Sequence, residues 1–141
     1  MIAPTKQANE VRPGDALPTT ERRFSAVDLV MYGAATWDWH RLHYDAVFAE
    51  EMKLPGPIID GQMYGALFAK QAMDWLGAKA FVRKLDFRMR AMAFAGDALA
   101  AEGEVVETRA EDGHAVVVLA QRLRNGEQLI AEATTEVRLP A

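Results

Sequence analysis

The chain of 141 residues contains no cysteine. That removes disulfides, thiolate nucleophiles and thiolate metal ligands together, and is compatible with a reducing cytosol. Basic blocks are missing as well. The 16 Lys and Arg residues are scattered among 20 Asp and Glu, for a net charge of −4, so no surface of the kind that tracks a phosphate backbone is expected and nucleic-acid binding is set aside. No apolar run approaches the ~20 residues of a membrane span. The opening segment, MIAPTKQANEVRPGD, is polar where a secretory leader would carry an apolar stretch. These absences predict a cytoplasmic protein that works off the membrane. Half of the residues are hydrophobic, enough for the core of one ordinary domain over 1–141.

Breakers and periodicity divide the chain. Pro4, Pro13 and Gly14 make residues 1–16 read as a loose N-terminal arm. A short strand is expected near 18–23. Ser25, with Asp28 three positions on, has the spacing of a helix N-cap whose carboxylate meets the positive end of the helix dipole. Leu29, Val30, Tyr32 and Gly33 carry that helix forward. A second short helix is expected from Asp45 to Met52. LPGPIIDG, residues 54–61, has two prolines and two glycines and must be a loop. GQMYGALFAKQAMDWLG, residues 61–77, is the main helix, stopped by Gly77. Between Met63 and Ala69 it has no charge on any face, which predicts a buried N-terminal half. Its polar residues Lys70, Gln71 and Asp74 predict emergence into water near the C-terminal end. From residue 80 the pattern is β-like: 80–93, 98–108, 116–123 and 128–139, separated by turns at Gly96-Asp97, Glu111-Asp112-Gly113 and Asn125-Gly126. Three or four antiparallel strands after one buried helix predict an α+β protein, a curved sheet wrapped around a helix. That architecture is the hot dog fold.

The chemistry-bearing residues gather in TWDWHRLHYD, residues 36–45. Two of the chain's three histidines, His40 and His43, lie here between Asp38 and Asp45. Taken alone, an Asp and a His five apart are most often a polar loop. A pair of histidines three apart could share a helical face, but there is no HExxH pattern and no third ligand of recognisable spacing, so no metal is expected. Trp37 and Trp39 have packing as their ordinary fate, with Trp37 a candidate wall of a site.

Asp38-Trp-His-Arg-Leu-His43-Tyr-Asp45, followed by Pro55-Gly-Pro-Ile-Ile-Asp60-Gly61 at the entrance of the main helix, resembles the MaoC-like, (R)-specific enoyl-CoA hydratase family. That family has the form Asp-x-Asn-Pro-x-His-x-Asp, then Pro-Gly-x-x-x-His-Gly. Weaker similarity extends to Pro13-Gly-Asp15, FSAVDL and Ala95-Gly-Asp97. The resemblance implies that Asp38 and His43 hold one water and add it across the double bond of a 2-enoyl-CoA, or remove it in reverse. Asp38 would act as base and His43 as its partner and proton donor. It also implies that the backbone N–H of Gly61 meets the thioester oxygen, with the helix dipole behind it. No cofactor is implied, because the substrate carries CoA, and a homodimer or higher homo-oligomer is expected. Two departures stand out. His40-Arg41 replaces Asn-Pro, and Asp60 replaces the His before the helix glycine, which makes His40 and Asp60 candidate site-lining residues. Two alternatives stay open: a hot dog acyl-CoA thioesterase using Asp60 or Asp74, and a non-catalytic acyl-thioester-binding subunit of a hetero-oligomer.

Overall fold

A computed structural model of the chain describes residues 4–140. Five strands, β1 (Ala16–Arg23), β2 (Phe81–Met89), β3 (Ala98–Glu111), β4 (His114–Asn125) and β5 (Gln128–Leu139), form one antiparallel sheet in the order β1-β3-β4-β5-β2. The consecutive part is the β3-β4-β5 meander. Its first turn is Asp112-Gly113, both at positive φ (+49° and +75°), with Glu111 paired to His114. Two positive φ values match the right-handed twist of the flanking strands. The second turn is Gly126-Glu127, one residue later than Asn125-Gly126, because Asn125 itself pairs with Gln128; Gly126 supplies the positive φ of +57°.

The β-like run 80–93 is not one strand. β2 joins the far edge beside β5 and stops at Met89. Arg90 and Ala91 both aim their N–H at the single carbonyl of Ile130, which ends the ladder. The chain then turns back: Ile59 N–H donates to Ala93 O at 2.9 Å, and Ala93 N–H donates to the Tyr64 hydroxyl at 3.2 Å. That return ties the β2 exit to the segment feeding the main helix.

Three helices precede or face the sheet: α1 (Ala26–Thr36), α2 (Ala46–Glu51) and α3 (Gln62–Leu76). The α1 cap is reciprocal, as the spacing predicts. Asp28 N–H donates to Ser25 Oγ at 3.1 Å, and Ser25 N–H donates to Asp28 Oδ2 at 2.7 Å. Helix α3 lies across one sheet face. Tyr64, Leu67 and Phe68 pack with Leu99, Ala101, Leu123 and Ile130, and Ala72 and Leu76 pack with Val105, Val117, Leu119 and Val137. Truncating a fully buried phenylalanine such as Phe68 to alanine costs ~3–5 kcal/mol.

Helix α3 departs from expectation in two ways. It is amphipathic, with Gln62, Ala66, Lys70, Met73 and Asp74 along an open stripe. And Gln71 does not mark a wet end: it is buried at 1% exposure. Its amide donates to Pro18 O and Ala101 O, while Gln121 donates to Gln71 Oε1 and Thr135 donates to Gln121 Oε1 at 2.6 Å. A polar network satisfied in this way is tolerated inside a core.

The N-terminal arm is docked rather than loose over its described part. Lys6 N–H donates to Leu76 O, Gly14 N–H donates to Val105 O, and Val11 is buried. Gly77 sits at φ +102° against the Thr5 backbone, where any Cβ would approach Thr5 Cα to 2.3 Å. Residues 1–3 of the expected arm lie outside the described residues. No helix among the described residues is long and apolar enough to cross a membrane.

Candidate active site

Asp38 follows directly from the way α1 ends. Trp37 caps the helix in the left-handed region (φ +61°), and Asp38 N–H returns to Gly33 O at 3.1 Å. A Cβ on Gly33 would lie 2.8 Å from Asp38 O, so glycine there lets the chain fold back and brings Asp38 over the core. Asp38 Oδ1 then accepts from His40 N–H at 3.1 Å. Leu42 N–H donates to His40 Nδ1 at 3.3 Å, starting the 3₁₀ turn Arg41–His43.

His43 is fixed by the segment 54–61 that leads into α3. Its Nδ1 lies 2.7 Å from Ile58 O, and Ile58 N–H donates to Leu42 O at 2.8 Å. A carbonyl only accepts, so Nδ1 carries the proton and Nε2 is the atom free to exchange one. On the far side Asp60, 9% exposed, accepts from Gln62 N–H at 2.9 Å through Oδ1. One ligand atom from each of Asp38, His43 and Asp60 lies within 4.8 Å of the others. A water bonded to two groups at ~2.8 Å each spans roughly 4.6 Å between them, so the separation suits one shared water.

Gly61 begins α3. Among the described residues its N–H has no protein acceptor, and it stands at the positive end of a 15-residue helix. Both faces of the position matter. A Cβ on Gly61 would come 2.2 Å from Met89 Sδ, so the side chain of Met89 lies over this glycine. His43, Asp60, Gly61 and Tyr64 line a cavity of 530 Å³ that opens past Met89, Arg90 and Met92. Asp38 is exposed and is not among the residues that line this cavity. Burial raises the phenol of Tyr64 above its ordinary value. It also raises Tyr32, with the Asp60 and Asp38 carboxylates adding to the effect, so both phenols keep their protons at neutral pH.

The tryptophans are elsewhere. Trp37 is 80% exposed and Trp39 is 43% exposed; they meet edge-on at 6.2 Å, and Trp39 meets Tyr44 in the same way. Neither is core and neither lines the cavity, because the left-handed cap turns residue 37 outward. Asp74, the other thioesterase candidate, pairs with Lys70 on the open stripe of α3 and takes no part in the cavity.

A family model described as a MaoC like domain matches residues 7–126. The chain belongs to the MaoC-like family. The (R)-specific enoyl-CoA hydratase of Aeromonas caviae is 28% identical over 122 residues, spanning 84% of this chain and 89% of that protein. The solved structure of an (R)-hydratase from A. caviae involved in PHA biosynthesis matches with a TM-score of 0.84 at 25% identity, over 92% of this chain and 98% of that one. A chain of the ChsH1-ChsH2 complex from Mycobacterium tuberculosis matches with a TM-score of 0.81 at 22% identity, again over 92% and 98%; at that identity the likeness is one of fold. The hot dog architecture is common to these structures and this one.

Within this MaoC-like chain, the first of the two departures from the common motif has a local explanation. His40 and Arg41 hold the loop by side-chain contacts. His40 caps the 3₁₀ turn, and its ring is turned back on Leu42 instead of lining the cavity. Arg41 grips Asp45 Oδ2 through Nε and Nη2 at 3.0 and 2.8 Å and lies over the Phe48 ring at 4.2 Å. Asp45 in turn caps α2 through Phe48 N–H, the main reason its carboxyl is held below the ordinary range. Of the two carboxylates flanking the histidines, Asp45 is therefore engaged in structure, and Asp38 has no ion pair among the described residues. Spacing alone did not single out Gly33, Tyr64 or Met89; the glycine inside an otherwise regular helical stretch was the one available signal.

Proposed function

We propose that this protein hydrates a trans-2-enoyl-CoA to the (R)-3-hydroxyacyl-CoA, or runs the reverse dehydration, with Asp38 and His43 sharing the water. The observation that carries this reading is the convergence of Asp38 and His43 to one water's reach, with His43 lining the same cavity as the helix-start glycine. Asp38 takes one proton from water as its oxygen attacks the β-carbon. His43, entering the step as the imidazolium with Nδ1–H still on Ile58 O, gives its Nε2 proton to the α-carbon and is left neutral, so the sum of the step is one water added. The carboxyl proton then returns to the imidazole across the same short gap. The thioester oxygen gains negative charge on the way, and the unpaired N–H of Gly61 with its helix dipole is the donor suited to meet it. Met89 must swing aside for the thioester to come close, which an exposed methionine does readily.

Membership of the family supports hydratase or dehydratase chemistry in general. The acyl chain, the direction and the assignment of roles are this proposal's own. An edge-to-edge dimer belongs to the same reading. β2 is an open edge of the sheet, and Phe81, Met89 and Met92 are more than half exposed along it and just beyond it. The test is a panel of enoyl-CoA thioesters, from four carbons to bulky ring-bearing acyl groups, incubated with purified protein. Loss of the conjugated enoyl absorbance with formation of the (R)-alcohol supports the reading. A protein that cleaves the thioester and leaves the double bond intact would be a thioesterase instead.

A further inference from the structure

Asp60 gives the cavity something that a two-residue acid/base pair does not need: a third ligand atom. We infer that Asp38, His43 and Asp60 form a binding site for a divalent first-row transition ion, zinc being the natural probe, and that this ion inhibits the hydration proposed above. The site is built from independent features. His43 Nδ1 is committed to Ile58 O at 2.7 Å, the arrangement that fixes a metal-ligating imidazole and aims its other lone pair. Asp60 is nine-tenths buried; its Oδ1 is used by Gln62 N–H, and among the described hydrogen bonds Oδ2 has no partner. With no donor on that oxygen, the carboxylate keeps a lone pair free for a cation. Asp38 is exposed and forms no ion pair among the described residues, so it is free to close over the ion.

Two carboxylates and one imidazole are a donor set that zinc accepts while keeping a fourth position for water. Metal–ligand bonds of ~2.0–2.1 Å put tetrahedral donors roughly 3.4 Å apart. The three atoms already lie within 4.8 Å of one another, so movements of up to about 1.4 Å, shared among Asp38, His43 and Asp60, complete the set. An ion seated there takes the lone pairs that the shared water requires, and the base and the imidazole are both withdrawn from proton transfer. Neither two short helices nor sequence spacing brings Asp60 into register with Asp38; the bond between the 38–45 loop and Ile58 does.

Isothermal titration with Zn²⁺ and visible absorption of the Co²⁺ form read binding without reference to activity. Expected are one ion per chain and at least tenfold weaker binding in both Asp60→Asn and Asp38→Asn. The Asn at 60 keeps an oxygen for Gln62 N–H, and the Asn at 38 is at an exposed position, so both variants should fold, as circular dichroism checks. His40→Asn should bind like the parent protein, since that ring faces Leu42. Wild-type affinity in either aspartate variant, loss of affinity in His40→Asn, or no stoichiometric binding overturns the site. In the activity arm, zinc should suppress hydration and EDTA restore it; bound zinc with undiminished hydration would remove the ion from the space between Asp38 and His43. Should the protein show no hydration at all, the binding arm still decides the metal site, so the two readings fail separately.

Discussion

Asp38→Asn separates chemistry from architecture at one oxygen. The asparagine keeps an Oδ1 acceptor for His40 N–H, the 3.1 Å bond that shapes the start of the loop, and residue 38 is exposed. Unfolding free energy should therefore stay within ~0.5 kcal/mol of the parent. The amide cannot take a proton from water. A positioned general base contributes ~10²–10⁴-fold, which at 1.36 kcal/mol per decade is roughly 2.7–5.4 kcal/mol of barrier. The assay is the initial rate of enoyl-CoA absorbance loss at saturating substrate, beside a chemical denaturation curve. The loss should fall in kcat with KM changed little, because Asp38 lies outside the lining of the cavity proposed to take the thioester. His40→Asn is the control, and its activity should persist. Hydration by the Asp38 variant within a few-fold of the parent would show that another group activates the water. A matching loss of stability would make Asp38 a loop-forming residue instead.

Further outcomes follow from other parts of the molecule. Gly61→Ala places a methyl 2.2 Å from Met89 Sδ; the exposed methionine moves away and the fold survives, but the methyl occupies the approach to the N–H, so kcat should fall on the order of 10²-fold. Chelator treatment of the protein as purified should not lower the hydration rate, since the proposed steps need only Asp38, His43 and Gly61; a loss reversed by added metal would sink that mechanism. Gln121→Leu strands Gln71 Oε1 and removes the acceptor for Thr135, costing on the order of 2 kcal/mol in denaturant unfolding at unchanged m-value. Acid should destabilise the fold. Asp28 is held below its ordinary 3.8 first by Ser25 N–H and then by the Ser25 hydroxyl, Glu111 below 4.5 by Arg83 and Arg109, and Glu132 likewise by Arg90. Folded values below the unfolded ones mean stabilisation that is complete above about pH 5 and lost as pH falls through and below 4; a melting temperature that rises on acidification contradicts this.

The elements were legible where local signals agree with the fold. Ser25 and Asp28 announce their helix because a cap is made by neighbours in sequence, and Asp45 does the same for α2. Long-range partners were not legible. Gln71 reads as a surface residue until Gln121, fifty positions away, and Ala101 meet its amide. The run 80–93 reads as one strand because its alternation continues past Met89, while the ladder ends there for a reason that lies in Ile130. Trp37 reads as a packing residue by composition, yet a left-handed cap, a property of backbone closure, sends it to the surface.

The candidate site divides in the same way. Asp38 and His43 could be named from a motif because they share one loop, but what makes their pairing usable comes from elsewhere in the chain. Gly33 permits the fold-back that carries Asp38, and Ile58 selects the tautomer of His43. The replacement of the family's histidine by Asp60 illustrates the limit most directly. In sequence it is a single departure one residue before a glycine. In space it is a buried carboxylate within 4.8 Å of both motif residues. A carboxyl group brought that close stands beside the protons that the proposed reaction moves and the oxyanion that it develops. The hydration proposed for this chain therefore involves three groups where the common motif supplies an acid/base pair. The identity of residue 60 is the feature on which its behaviour should differ from that of relatives with histidine there.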